Sequence, residues 1–214
     1  MPNPKLTSFS YYFLNKRLHP APLPGFRVSI ILLIVNQNNG NNFGKFLFIR
    51  QTARGYLSWN LPQEGMETTV TADDVFTTIA RGIEEELGFR GLKIPETKPQ
   101  FTQRAIIFDF ARQKYDLKRS AYEKSIDRPT KGKIYHLAIM DYRGPDEIPI
   151  LSGPKDTEID AFRWVDHTEG QTLLETTKKT FFLTSADFKV KLLDRIIEIY
   201  KDLNIHLTNQ PTLF

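Results

Sequence analysis

Cysteine is absent from all 214 residues, which excludes disulfides, thiolate metal sites and thiol nucleophiles. Long hydrophobic runs are missing too. The longest, Val28 to Val35 with one serine inside it, is far too short to span a bilayer, and residues 1 to 20 hold no signal-peptide core. A soluble, intracellular and specifically cytoplasmic protein is the expectation. Charge of one sign is not in large excess: a formal +4 suits polyanionic ligands without demanding nucleic acid. There is no G-x-x-x-x-G-K phosphate loop, no spacing of Ser, His and Asp that suggests a triad, no internal repeat and no low-complexity tract. The metal chemistry left open is that of hard cations held by oxygen, such as magnesium.

What is present fits one globular domain with extensions. Residues 1 to 24 are aromatic and punctuated by Pro20, Pro22 and Pro24, and read as an N-terminal arm. Residues 25 to 175 form the main domain, and residues 176 to 214 add a C-terminal helix packed on it or at a dimer interface. Val28 to Val35 reads as a buried strand and Lys45 to Gln51 as its hairpin partner across the Asn-rich turn Asn36 to Gly44. Further strands are expected at 100–110, 133–142 and 159–165. The last segment, Ser185 to Leu203, places Phe188, Leu192, Leu193, Ile196, Ile197, Tyr200 and Leu203 at helical spacing. That stripe is read first as core and second as a homodimer face.

The most informative segment is Arg81-Gly-Ile-Glu-Glu-Glu-Leu-Gly88, which follows the turn Trp59-Asn-Leu-Pro-Gln-Glu-Gly65. Thr71 and Asp74 resemble a capping box, so a helix is expected from Ala72 to Leu87, stopped by Gly88. At about 100° per residue, Val75, Phe76, Ile79, Ile83 and Leu87 make one apolar stripe, with Glu86 inside its margin and Glu85 beside it. A carboxylate there needs a cation or a donor as partner. Arg81 can reach Glu85 across one turn and orient it. Negative charge so near a helix C-terminus opposes the dipole, and a divalent cation would offset that cost. Three consecutive glutamates at a solvated helix end are the competing interpretation.

Gly65, Arg81, Glu85, Glu86, Gly88 and Phe89 together resemble the Nudix box, G-x5-E-x7-R-E-U-x-E-E-x-G-U, where U is aliphatic or aromatic. The resemblance implies an α+β fold, a Nudix-type α/β/α sandwich with a mixed β-sheet, and Mg2+- or Mn2+-dependent hydrolysis of a nucleoside diphosphate linkage. It extends over about residues 25 to 175 through Gly25-Phe-Arg27, Trp59-Asn-Leu-Pro-Gln63, Lys131-Gly-Lys133 and Glu158-Ile-Asp-Ala-Phe-Arg-Trp164. In that order these segments are most similar to RNA 5′-pyrophosphohydrolases and dinucleoside polyphosphate hydrolases. Two departures stand out. Gly82 replaces the glutamate after the arginine, and the interval from Gly65 to Asp73, the first acidic position, is two residues longer than the pattern. Glu84 lies about 160° around the helix from position 82 and is no substitute.

The resemblance implies Glu85, Glu86 and Glu158 as metal ligands, with Arg81 alongside them in catalysis. Glu64 stands where the family usually has glycine, and Glu64 or Glu67 is the candidate for the missing carboxylate, against a Glu64 that simply faces solvent. Arg27, Arg50, Lys131 and Lys133 are candidate phosphate contacts, and Trp59 and Tyr135 candidate stacking platforms for a base. His136 alternates with Ile134 and Ala138 and reads as a packed strand histidine. Expected partners are a nucleotide or nucleotide-derivative substrate, an RNA 5′ end among them, and no membrane. The second functional interpretation, raised by Gly82, is a non-catalytic nucleotide- or protein-binding module. A transcriptional regulator is third, and the tail after residue 175 leaves it little room for a DNA-binding appendage.

Overall fold

Two largely buried strands lie side by side at the centre. The computed structural model describes residues 25–53, 56–66, 75–87, 101–114, 131–145, 159–176 and 186–208. Strand β1 (Phe26–Asn36) pairs in parallel with β6 (Gly132–Tyr142) along its whole length, from Phe26 opposite Gly132 to Asn36 opposite Tyr142. A parallel pair buried on both faces needs continuous hydrophobic sequence rather than alternation, and Val28 to Val35 supplies it.

The alternation of side chains divides that run between two cores. Ile30, Leu32 and Ile34 face α1 (Val75–Leu87) and join Val75, Ile79, Ile83, Ala138, Met140 and Trp164. Ile31, Leu33 and Val35 face the opposite way, toward α2 (His167–Thr176) and α3 (Ala186–Thr208), and join Leu174, Leu193, Ile196, Ile197 and Leu203. The architecture is an α+β sandwich of helix, mixed sheet and helices, as expected. The stripe on the last helix is core: Leu193, Ile196, Ile197 and Leu203 are buried, with Phe188, Leu192 and Tyr200 packed against them.

The sheet runs β3-β2-β1-β6-β5, with β4 added to β1 and β7 to β2. Here β2 is Phe46–Ala53, β3 Tyr56–Asn60, β4 Gln63–Gly65, β5 Phe101–Lys114 and β7 Ile159–Val165. The expected hairpin of β1 with β2 forms only at its closed end, Val35 opposite Phe46. Beyond it the strands part, and β4 takes the vacated edge of β1, with Gln63, Glu64 and Gly65 opposite Ile31, Ile30 and Ser29. Flanking bonds from Leu32 N to the Pro62 carbonyl (2.8 Å) and from Met66 N to the Val28 carbonyl (2.9 Å) extend this pairing. The segment Trp59 to Gly65, read as a turn from its sequence, therefore contains the end of β3 and all of β4, strands too brief to show a period of their own.

Helix α2 was not anticipated either, though its start carries a signal. Asp166 Oδ1 accepts from Glu169 N (2.8 Å) and Glu169 Oε2 accepts from Asp166 N (3.1 Å), a reciprocal capping box. The proposed Thr71 cap, Asp73, Gly88, Phe89 and residues 1–24 lie outside the described residues. No helix among the described residues is long and apolar enough to cross a membrane.

His136, in β6, is a packed residue. It is 2% exposed, its Nδ1 accepts from the Asp109 backbone N–H at 2.8 Å, and the Phe108 ring meets it edge-on. With Nδ1 accepting, the hydrogen of the neutral ring sits on Nε2, which is buried and has no hydrogen-bond partner among the described residues. Burial pushes this imidazole below its ordinary value of 6.5, against the pull of Asp109. A group held neutral in the fold contributes stability that is complete above the unfolded pKa and is lost as pH falls through the lowered folded value. We expect the urea midpoint of the native protein to fall between pH 7.5 and 5.5 by more than that of His136→Gln, the difference limited to about 1.4 kcal/mol per pH unit. Parallel midpoints in the two proteins would contradict this.

Candidate functional site

At the open end of the β1–β2 hairpin, β4 lies against the last turns of α1. Arg81 joins them. Its Nη2 donates to Glu64 Oε1 at 3.2 Å and, in a short bond, to the Gly65 carbonyl, while Gly65 N donates to Glu64 Oε1 at 3.0 Å. Both side chains of the ion pair are 19% exposed, so it is better protected from solvent than the surface pairs that contribute little. Sequence spacing pointed Arg81 along the helix to Glu85. In the fold its guanidinium turns across to β4, because pairing with β1 brings Glu64 and the Gly65 carbonyl within reach.

Gly82 explains how α1 comes so close. A Cβ at position 82 would sit 2.9 Å from Glu64 Cβ, 3.5 Å from its Cγ and 3.6 Å from Leu32 Cδ1. The two positions are therefore sterically exclusive: the space that a side chain on α1 would need is filled by the stem of Glu64. Position 82 thus carries no side chain, and a carboxylate stands at 64 on the strand facing it. Glu64 does not point freely to solvent.

Electrostatics couple Glu64 to the helix end. Burial pushes its carboxyl up, the Arg81 guanidinium pulls it down, and the Glu85 carboxylate pushes it up again. Glu85 is exposed on the last turn of α1. The side chain of Glu86, and the whole of Glu67 and Glu158, lie outside the described residues. Among the described residues no three His, Cys, Asp or Glu side chains gather as a metal cluster. Two mutually repelling carboxylates beside a backbone carbonyl nevertheless fit a hard divalent cation in donor chemistry. Glu64 and Glu85 are the described side chains that would contribute to holding it.

The expected phosphate contacts divide. Arg27 and Lys133 face each other in the β1–β6 register, and Arg27 is exposed. Lys133 is half-buried, with Nζ 5.8 Å from the Tyr135 ring centroid. Burial, then Arg27, lower its ammonium to about 8, while Glu64 pulls the other way. Lys131 is exposed, its backbone N–H donating to the Gly25 carbonyl. The glycine between these lysines is compulsory, because a Cβ on Gly132 would lie 2.0 Å from the Gln113 carbonyl oxygen across the β5–β6 ladder. Arg50 is committed elsewhere: Nε and Nη2 grip Asp160 at 2.7 and 2.9 Å, and the guanidinium lies 5.7 Å from the Trp59 ring centroid.

Tyr135 is 2% exposed, donates its hydroxyl to Gln113 Oε1 at 3.0 Å and meets the Phe188 ring at 6.0 Å, so in this state it supports the core and Lys133. Trp59 is half-buried against the α3-side core. One further cation joins from a place the sequence did not single out. Lys189, on the first turns of α3, donates to Asn60 Oδ1 and lies within electrostatic reach of Lys133. Only the apolar stripe of that helix was legible, and nothing in it marks a lysine between its members.

No family model matches the sequence, and no curated protein matches it. Among solved structures the chain is similar to an Ap4A hydrolase of C. elegans (14% identity, TM-score 0.48, covering 82% of this chain and 98% of that one). It is also similar to the E. coli dihydroneopterin triphosphate pyrophosphohydrolase (14% identity, TM-score 0.46, covering 81% and 98%). A third is the NUDIX domain of Shewanella oneidensis NrtR complexed with ADP ribose (10% identity, TM-score 0.45, covering 83% and 90%).

The exclusion between positions 64 and 82 predicts a signed double-mutant cycle. Gly82→Ala in the native background is expected to destabilise by about 1 to 3 kcal/mol through overpacking, despite the alanine's helical advantage. In a Glu64→Gly background the same change is expected to stabilise by about 1 kcal/mol. Chemical denaturation of the four proteins measures it, and additive effects would contradict the steric account.

Proposed function

We propose that this protein is a Nudix-type hydrolase that cleaves a nucleoside diphosphate linkage by attack of water on phosphorus. Substrates of the dinucleoside polyphosphate or 5′-phosphorylated RNA type are favoured by the four ordered segments of resemblance. The observation that carries this reading is the Arg81 clamp, which ties Glu64 and the Gly65 carbonyl to the helix bearing Glu85 and Glu86. It supports an intact carboxylate centre despite the glycine at 82, since the carboxylate has changed elements rather than disappeared.

Glu64, Glu85, Glu86 and Glu158 are the proposed ligands. Magnesium or manganese bound there would neutralise charge developing on the diphosphate oxygens and lower the pKa of bound water. The chain's own residues do the rest. Arg81 fixes the Glu64 carboxylate and the β4 backbone relative to α1, which limits the reorganisation left for the reaction. Arg27 and Lys133 place positive charge at the start of β1 and β6, within electrostatic reach of Glu64, where they could meet phosphate groups. Water adds to one phosphorus, the bridging P–O bond breaks, and the two phosphate-terminated fragments separate.

The other reading is a nucleotide- or protein-binding module without catalysis, and Gly82 is what favours it. Turnover separates the two. Incubated with magnesium or manganese and a panel of dinucleoside polyphosphates, 5′-triphosphorylated RNA, ADP-ribose and nucleoside triphosphates, the protein is expected to hydrolyse at least one of them. Glu85→Gln and Glu64→Gln are each expected to lower kcat by about 100-fold or more. Both are expected to weaken manganese binding measured by electron paramagnetic resonance without substrate. Folded protein inactive on the whole panel would overturn the hydrolase reading, and Glu64→Gln with native turnover and manganese affinity would remove Glu64 from the centre.

A further inference from the structure

Lys133 and Lys189 come from different layers, strand β6 and helix α3, yet the charge of Lys133 is felt at Lys189. Like charges partly withdrawn from water repel strongly, and such a pair normally recruits a carboxylate. Among the described residues none pairs with Lys189. Among the described residues its one hydrogen-bond partner is Asn60 Oδ1, a neutral acceptor, and Lys133 has no hydrogen-bond partner but lies over the Tyr135 ring. Asn60 is itself pinned, with Nδ2 donating to Ser58 Oγ at 2.7 Å and to Gln51 Oε1 at 3.1 Å, so its oxygen stays turned to the lysine. All the ammonium hydrogens of Lys133, and those of Lys189 not given to Asn60, are available to an acceptor that the described chain does not supply.

The surroundings build a site rather than a chance meeting of surface lysines. Tyr135 is buried, tied to Gln113, and its ring lies tilted against Phe188, which is one residue before Lys189 on α3. The aromatic pair thus fixes the start of α3 against β6 and sets the spacing of the two lysines. Arg27, opposite Lys133 in the β-ladder, adds a third positive charge, and Glu64 is the carboxylate whose field reaches Lys133. Burial lowers both lysines to about 8, with the charge of Arg27 contributing at Lys133 and that of Lys133 at Lys189. A bound anion would reverse that cost.

We propose that Lys133 and Lys189 form a two-lysine anion site, with α3 closing it, that takes a phosphate group of a polyphosphate chain and directs the chain toward the Glu64 carboxylate centre. Assigning the anion to the substrate rests on the hydrolase reading above. The anion site itself rests only on the two lysines and their unmatched hydrogens. The C-terminal helix is then part of the binding site as well as of the core, and Lys189 is a specificity-determining residue for the number of phosphates beyond the scissile bond.

The test uses the full chain in EDTA, with inorganic tripolyphosphate as probe and isothermal calorimetry as readout. Lys189→Met is expected to weaken tripolyphosphate binding about 10-fold or more, and Lys133→Met comparably, while Lys189→Arg restores most of it. Removing a desolvated like charge is not expected to lower the unfolding midpoint of Lys189→Met without ligand. A purely structural lysine, needed only for Asn60, would show the opposite: a lowered midpoint with tripolyphosphate affinity intact. Unchanged affinity in folded Lys189→Met overturns the proposal, even if the protein hydrolyses nucleotides. Lysine-dependent tripolyphosphate binding in a protein inactive on every nucleotide upholds the anion site and overturns the hydrolase reading instead.

Discussion

The parallel pairing of β1 with β6 is the constraint on which the rest depends. Its register sets Arg27 beside Lys133 and Ile30 beside His136, and the free edge of β1 then receives β4 with Glu64 opposite Ile30. Because both faces of the pair are covered by helices, its hydrophobic side chains anchor two cores at once. Slipping the pairing by one residue would exchange those cores and would place Lys133 on the wrong face of the sheet. The position of the charged residues is therefore fixed by burial of apolar ones.

Around that spine the candidate site is an arrangement of opposite charges at one end of the sheet. Carboxylates gather where β4 meets α1, and cations gather where β1, β6 and α3 begin. The helix and the strand share limited room, and Gly82 and Glu64 divide it: the helix gives up a side chain and the strand contributes one. Arg81 keeps the division in place by bonding to Glu64 and Gly65 together. The lysines need the opposite device, since among the described residues nothing negative pairs with Lys189, and its Asn60 partner is neutral.

Much of this was legible in the sequence for physical reasons that can be named. Continuous apolar residues in β1 and the 3.6-residue stripe on α3 each determine burial locally, so those elements and their core faces were found, and strand β7 at Ile159–Val165 was found residue for residue. The short strands β3 and β4 were not, because their bonds are made to partners distant in sequence and three to five residues carry no period. Helix α2 has weak amphipathicity, and only its Asp166–Glu169 capping box announced it.

The α+β sandwich was an expectation from the resemblance to a known family; the sequence by itself determined the two core-forming stripes and the identity of the acidic helix with its glycine in an unexpected place. These are properties of local pattern, where each residue's neighbours along the chain decide its environment. Only the tertiary structure decided that Arg81 serves Glu64, that Glu64 fills the space over Gly82, that Arg50 is held by Asp160, and that Lys189 arrives beside Lys133. Each of those contacts joins residues on different elements, and its existence depends on strand register and helix docking. Local periodicity carries no information about either.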